Sequence, residues 1–452
     1  MIPRSDRLAI SAIFLVFFFP FPHAGSPPPD TRKRPPERKE AVSPPKGRRI
    51  LGARERPLDP EGTEQRARPL GKEAFRSPYA RWPRAFPQGR DFFPIGVWLQ
   101  NPSRAEAYKA IGINVYVGLW KGPTREQLEA LRKAGMIVVC AQNEVGLEEG
   151  EGVVAAWMQK DEPDNAQRKP GGGYGPPIPP AEIQRRYREF LRKDPDRPVF
   201  LNLGQGVAND QWRGRGVRTG QIEDYPEYVR GADILSFDIY PVTSPQSHIR
   251  GRLEYVAKGV ERLVRWSREA SRGSRPKIVW NVLESSRIRS KTRPTPAQVR
   301  TEAWMALIHG SRGLIWFSHE WVPSFREDAL LRDPEMREAI SRINHRILRL
   351  APVLNSEDRP DLVSVRSSSR KVPIATMVKE ALESIWIFAV SMAPAPAEAK
   401  FRVKGMPARA EARVLDEDRR IPVSYGTFKD RFDGYAVHLY RLPKQGLQRK
   451  GR

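Results

Sequence analysis

The sequence predicts an α/β chain, a (β/α)8 TIM barrel followed by a small antiparallel β-sandwich. Two observations predict the barrel. Eight apolar runs of strand length alternate with amphipathic helical patterns between Phe92 and Leu354, and eight such units over about 260 residues suit a closed barrel better than an open sheet. No G-x-G-x-x-G follows the first run, so the dinucleotide fold loses its main signature. A third observation predicts the sandwich. After Ser356 the helical pattern stops, and short alternating runs bounded by turn residues follow.

Taken in order, FFPIGVWL (92–99), NVYVGLW (114–120), MIVVCAQ (136–142) and VVAAWMQKDE (153–162) are the first four strands. PVFLNLGQ (198–205), ILSFDIYP (234–241), KIVWNVLES (277–285) and GLIWFSHEW (313–321) are the last four. Helical patterns follow most of them. The third connection, NEVGLEEGEG, is the weakest. Ser103, Thr124, Thr295 and Asp333 are placed to cap helices, and Gly112, Gly135 and Gly310 to end them. LVSVRSSS, VPIATMVKEA, SIWIFAVSM, AKFRVKGM, EARVLDEDRRIPVS and YAVHLYRL supply the sandwich.

The domain boundaries expected are 1–25 for a signal peptide, 26–88 for a disordered Pro/Arg-rich linker, 89–355 for the barrel, 356–443 for the sandwich and 444–452 for a basic tail. Arg4 and Arg7 precede the apolar stretch Leu8–Pro22, with Ala24, Gly25 and Ser26 after it. That is the pattern of a secretory signal, or of an anchor if it stays uncleaved, and it implies a secreted or periplasmic protein. A chain with Cys140 as its only cysteine forms no internal disulfide, and Cys140 in MIVVCAQ reads as a buried small hydrophobe.

The formal net charge is +25. Between Gly25 and Arg90 stand 17 Lys/Arg against 8 Asp/Glu. A linker so charged and so poor in bulky apolar residues cannot offset the entropy of ordering. It admits an anionic surface or an acidic polysaccharide as partner; nucleic acid is not expected.

In a barrel of this kind, chemistry gathers at the C-terminal strand ends. Those ends carry Trp98 and Gln100; Tyr116 and Trp120; Gln142, Asn143 and Glu144; Asp161 and Glu162; Asn202 and Gln205; Asp238 and Tyr240; Glu284; and Trp316, His319 and Glu320. Aromatic faces stack on sugar C–H surfaces, while amides and carboxylates bind hydroxyls, so the set implies a carbohydrate substrate. Glu162 and Glu284 are the candidate catalytic pair. Glycoside hydrolysis needs one protonated and one ionised carboxyl around a single bond.

The order of these residues resembles the clan-A retaining glycoside hydrolases. These are (β/α)8 barrels with an acid/base Glu after the fourth strand and a nucleophile Glu after the seventh. Asp161-Glu162-Pro163 matches the acid/base motif in its Glu and Pro but has Asp where the clan has Asn. Glu284 in LES (283–285) stands at the nucleophile, Tyr240 at the tyrosine that orients it, and Trp316 at the tryptophan that floors the sugar subsite. The resemblance implies a glycosidase without cofactor. Asp161, Asn202, Asp238, Tyr240, Trp316, His319 and Trp98 would bind the substrate.

Plainer readings stand beside these. Glu162 could pair with Lys160, which strand alternation puts on the same side. Glu284 could pair with Arg287 or Arg289, and Trp280 reads as barrel core. His319-Glu320 lacks the spacing of a metal site, and KPGGGYGPPIPP (169–180) lacks the G-K-[ST] of a phosphate loop. A barrel that binds carbohydrate without cutting it is the alternative function, and an anionic-polymer binder a third.

Overall fold

The computed structural model describes residues 75–271, 276–288 and 290–444. The expected signal peptide, the linker up to residue 74 and the tail from residue 445 lie outside the described residues.

The barrel sheet holds β1 (Ile95–Trp98), β2 (Val115–Val117), β3 (Ile137–Cys140), β4 (Val154–Met158), β5 (Val199–Leu203), β6 (Ile234–Phe237), β7 (Ile278–Val279), β8 (Asn281–Glu284) and β9 (Leu314–Phe317). Neighbours pair in parallel, and β1 pairs with both β2 and β9. The segments β7 and β8 are two halves of one barrel strand that changes partner at Trp280. The Trp280 amide donates to Leu235 on the sixth strand, and the next amide, Asn281, donates to Gly313 before the eighth. That switch closes eight strands into a ring.

The helices are α1 (Ala105–Ala110), α2 (Arg125–Ala134), α3 (Glu144–Glu149), α4 (Pro180–Lys193), α5 (Tyr225–Tyr228), α6 (Glu254–Ser271), α7 (Pro296–Ile308), α8 (Ala329–Arg332) and α9 (Pro334–Leu354). Thr124 and Thr295 each close a capping box, with Gln127 and Gln298. Asp333 caps α9 through the Met336 amide. Asn101, not Ser103, caps the turn that leads into α1. Alternation along each strand divides the core in two. Val115, Val117, Phe200, Trp280, Val282 and Ile315 fill the interior, while Leu201, Leu235, Leu283, Leu314 and Trp316 face the helices. Cys140 is buried.

YARWPRAFPQG (79–89), at the end of the stretch assigned to 26–88, reads from the sequence as the start of the folded part, and the described residues include it. Tyr79, Trp82 and Phe86 are all buried. The Tyr79 hydroxyl lies 3.0 Å from Trp280 Nε1, and Phe86 packs edge-on against the Trp280 ring. These three closely spaced aromatics bury enough apolar surface to order a segment that is otherwise charged.

After α9 come eight antiparallel strands: β10 (Val363–Ser367), β11 (Ile374–Ala381), β12 (Ser384–Ser391), β13 (Ala397–Val403), β14 (Arg409–Val414), β15 (Arg419–Ser424), β16 (Thr427–Phe432) and β17 (Val437–Pro443). They fold around Phe401, Phe428, Phe432, Tyr440 and Ile387. β12 and β17 also share the helix-layer core of the barrel, where Phe388 stacks on Trp304 of α7. The segment read as one strand, EARVLDEDRRIPVS, is a hairpin. Asp416 and Asp418, both at positive φ, turn it. TFKDRF was not anticipated as a strand, because three charged residues interrupt its two buried phenylalanines.

Candidate active site

The fourth strand sets the site. Its regular ladder stops at Met158, and Gln159 is held by bonds to the carbonyls of Ile183 and Gly231. Glu162 then adopts φ 41, a left-handed conformation that a glutamate enters only under constraint. The constraint is visible. The Glu162 amide donates to Asn202 of β5, and Asp164 accepts the Gly204 amide and the Tyr225 hydroxyl. Asn165 accepts Trp212 Nε1. The run WMQKDEPDN thus ends in charges because its backbone turns inward there. Lys160, exposed, does not bond Glu162; its nearest charged influence is Arg186.

Glu162 is buried, and its carboxyl touches the carboxyl of Asp238 at the end of β6. Two carboxylates cannot bond each other without a proton. Burial first, then the charges of Asp238 and Asp161, hold Glu162 well above the ordinary glutamate range. Asp161 is exposed as a residue. Protein packed around its carboxyl raises it, discounted for that solvent access, with Asp238 and Asp164 adding to the effect and the 3.0 Å bond from Asn202 Nδ2 opposing it. Tyr240 also bonds Asp238. No protein donor among the described residues reaches Glu162 Oε1 or Asn202 Oδ1. Asp161, Glu162, Asn202, Asp238 and Tyr240 therefore form one cluster at the ends of the fourth, fifth and sixth strands.

Glu284 does not join that cluster. Parity with Val282 assigns it to the barrel interior, but at the strand end it turns toward the helix layer. It is wholly buried, and its two oxygens accept the amides of Val242 at 2.6 Å and Thr243 at 2.9 Å. Its further partner is Glu302 of α7, also wholly buried. Burial pushes Glu284 up to about 7 against the pull of those amides, and pushes Glu302 higher. Arg287 pairs with Glu320 instead. A Trp316 subsite floor is corrected as well. The ring is fully buried on the helix side, and its Nε1 donates to Asn344 of α9.

The aromatic wall comes from neighbours of the expected residues. Phe317 packs on Tyr240 at 5.2 Å and on Trp321 at 5.6 Å. His319 lies among Trp120, Phe317, Trp321 and Phe325. Its Nε2 lies 3.1 Å from the Leu99 carbonyl, and burial lowers it to about 4, so it is a neutral donor. Trp98, nearly buried, belongs to the same interior face as Tyr240 and Phe317. Trp120 and Trp321 are half-buried, and Phe325 is 45% exposed. Beyond Phe325 a rim cavity of ≈ 570 Å³ opens between Arg104, Arg326 and Glu327.

The polar ends of the first three strands serve the scaffold. Gln100 bonds the Glu327 carbonyl and the Tyr108 hydroxyl; Tyr116 bonds the Asn101 carbonyl; Gln142 bonds the Phe190 carbonyl; Asn143 caps α3. Among the described residues no group of three or more His, Cys, Asp or Glu side chains could hold a metal. Sequence reasoning missed Glu302, which sits mid-helix with no local signal. It also missed Asp164, although the last acid of DEPD was in plain view.

No family model matches the sequence, and no curated protein matches it. The structure is similar to an α-amylase from Geobacillus thermoleovorans complexed with acarbose. The two are 10% identical, with a TM-score of 0.49, over 79% of this chain and 99% of that one. It is similar to a glycoside hydrolase family 30 subfamily 8 xylanase from Clostridium acetobutylicum (10% identity, TM-score 0.43, 77% and 96% covered). A putative α-galactosidase/melibiase from Bacteroides fragilis gives 11% identity and a TM-score of 0.42 over 78% and 80%. At these values the likeness stops at barrel outline.

Proposed function

We propose that this chain hydrolyses O-glycosidic bonds of a poly- or oligosaccharide, with Glu162 as the proton donor. The observation that carries the reading is the burial of Glu162 against Asp238, which raises its hold on a proton well above that of an ordinary glutamate. A general acid needs that property to protonate a leaving oxygen. Carboxyls that flank one glycosidic bond stand roughly 5–5.5 Å apart for retention and roughly 6.5–9.5 Å for inversion. Two carboxyls in contact are too close for either, so Asp238 tunes Glu162 rather than serving as its opposite number.

The second carboxylate is Asp161, the member of the cluster that solvent reaches, with Asn202 steadying its anion. The retaining scheme read from the sequence gives this role to Glu284. That scheme requires the Val242 and Thr243 amides to release it. The wall of Tyr240, Phe317, Trp321 and Trp120 supplies faces for sugar rings, and His319 supplies a neutral edge among them. Secretion or periplasmic location, and an acidic polysaccharide or anionic surface held by the basic linker, belong to the same proposal.

Purified protein set against aryl glycosides and a polysaccharide panel tests it. Polysaccharide turnover that disappears in Glu162→Gln supports the reading; no turnover of any member by the unaltered protein sinks it. The sequestration of Glu284 favours one second reading, a barrel that binds carbohydrate without cutting it. That reading expects equal glycan affinity in the unaltered protein and in Glu162→Gln, with no product from either.

A further inference from the structure

Glu284 is a wholly buried strand-end acid. Both oxygens accept consecutive backbone amides, Val242 and Thr243. These amides lie four and five residues past Asp238, on the segment that carries Asp238 and Tyr240 into the site. Opposite Glu284 stands Glu302, neither of whose oxygens meets a donor. The contact between them holds only with a proton on one carboxyl, and the deeper rise belongs to Glu302. No Lys, Arg or His among the described residues bonds either acid. Such a pair is poorly suited to neutralising charge. It is well suited to fixing backbone, because two amide donors and one acid donor hold the anion by three charge-assisted bonds.

The helix that carries Glu302 is itself pinned from behind. Arg300 Nη1 donates to the Val437 carbonyl and Thr301 Oγ1 to the Tyr435 carbonyl, both in the C-terminal domain. Trp304 stacks on Phe388 of β12. Tyr435 also donates its hydroxyl to Glu254, the first residue of α6, which the same segment enters. The C-terminal domain thus braces both the helix that carries Glu302 and the helix that follows the loop.

We propose that Glu284 and Glu302 are a positioning pair. Through the Val242 and Thr243 amides they fix the orientation of Asp238 and Tyr240 against Glu162, and the C-terminal domain holds the pair in place. Its catalytic meaning rests on the hydrolase reading, in which Asp238 keeps the proton on Glu162. Glu284 touches no substrate in this arrangement.

Hydrogen exchange and kinetics on four variants of the full chain test it. In Glu302→Gln the amide group still donates to Glu284, so the Val242–Thr243 peptide stays protected and kcat stays near that of the unaltered protein. In Glu302→Leu and Glu284→Gln that protection is lost. In both, kcat falls about a hundredfold, the scale of a misplaced catalytic group, with KM little changed. In Glu284→Gly, added azide restores nothing. Formation of a glycosyl azide by Glu284→Gly would overturn the proposal, because it puts Glu284 at the anomeric carbon. Unchanged exchange at Val242–Thr243 in both Glu284→Gln and Glu302→Leu overturns it too. If Glu302→Leu does not fold, Glu284→Gln against Glu302→Gln decides. Exchange is read whether or not the protein turns over a glycan, so the pair and the hydrolase reading fail separately.

Discussion

Glu162 and Asp238 meet carboxyl to carboxyl at the ends of the fourth and sixth strands, and burial together with that meeting raises Glu162 well above the ordinary glutamate range. Replacing Glu162 by Gln keeps the shape and removes the proton. Hydrolysis of substrates with poor leaving groups is expected to fall by about 10²–10⁴, the usual span for a general acid. Aryl glycosides with acidic leaving groups, which depart without protonation, should lose far less. A series of aryl glycosides of graded leaving-group pKa measures this; an equal loss across the series removes Glu162 from the acid role.

Asp238→Asn tests the tuning. The Asp238 charge is one of the influences that lift Glu162, so without it Glu162 gives up its proton at lower pH. The descending limb of kcat/KM against pH is expected to move toward acid, while the maximum changes less than in Glu162→Gln. The ascending limb belongs to the carboxyl cluster as a whole, since groups this closely coupled titrate together.

Glu302→Gln should change how stability depends on pH. The folded state raises Glu284 to about 7 from an ordinary value of 4.5 and raises Glu302 further. Between 4.5 and those raised values the folded chain therefore holds more protons than the unfolded one. Stability from this pair is full below 4.5 and is lost as pH climbs through 7. The side-chain amide of the Glu302→Gln variant still donates to Glu284 and cannot ionise. Urea midpoints of the two proteins are expected to lie close together at about pH 4 and to separate at about pH 8, with the variant the more stable. Parallel curves would show that the pair is not titrating in this window.

Trp321→Ala probes the aromatic wall. Trp321 is half-buried and packs on Phe317 and His319. Loss of one stacking face costs about 0.5–1.5 kcal/mol, so glycan affinity is expected to drop up to about tenfold. Trp316→Phe should act oppositely. It leaves affinity unchanged and lowers thermal stability, because Asn344 Oδ1 loses its buried donor.

Trp316 and Glu284 show where the sequence stops being legible. Period-two alternation and helix caps disclosed the eight strands, and the residue before each connection disclosed the end that carries chemistry. Alternation counted from Ile315 also separates an inward Phe317 from an outward Trp316; the resemblance, not the parity, put Trp316 in the subsite. Glu284 is different. Its parity points inward, and only the long-range approach of Val242, Thr243 and Glu302 turns it outward. Those contacts span 42 residues or fewer along the chain yet leave no local pattern. Glu162 was legible for a local reason, a charge placed just before a proline. Its positive φ and its partner Asp238 were not, since both depend on strands far apart in the chain meeting in the ring.

The segment Tyr79–Phe86 stands where the charged stretch gives way to the folded part. Its aromatic residues close the floor of the barrel beneath Trp280, where Tyr79 supplies the partner for Trp280 Nε1. Phe86→Ala removes a fully enclosed ring and should cost about 3–5 kcal/mol. Tyr79→Phe leaves the Trp280 N–H without an acceptor and should cost about 1–3 kcal/mol. A chain that starts at residue 75 should therefore unfold at the same denaturant concentration as the longer one, and a chain that starts at residue 89 well below it. The two starts differ only by the stretch that holds these rings, so the comparison isolates the floor from the charged sequence before it. Equal midpoints for both starts would mean that the barrel closes without these rings, and that Phe200 and the other interior residues suffice to pack Trp280.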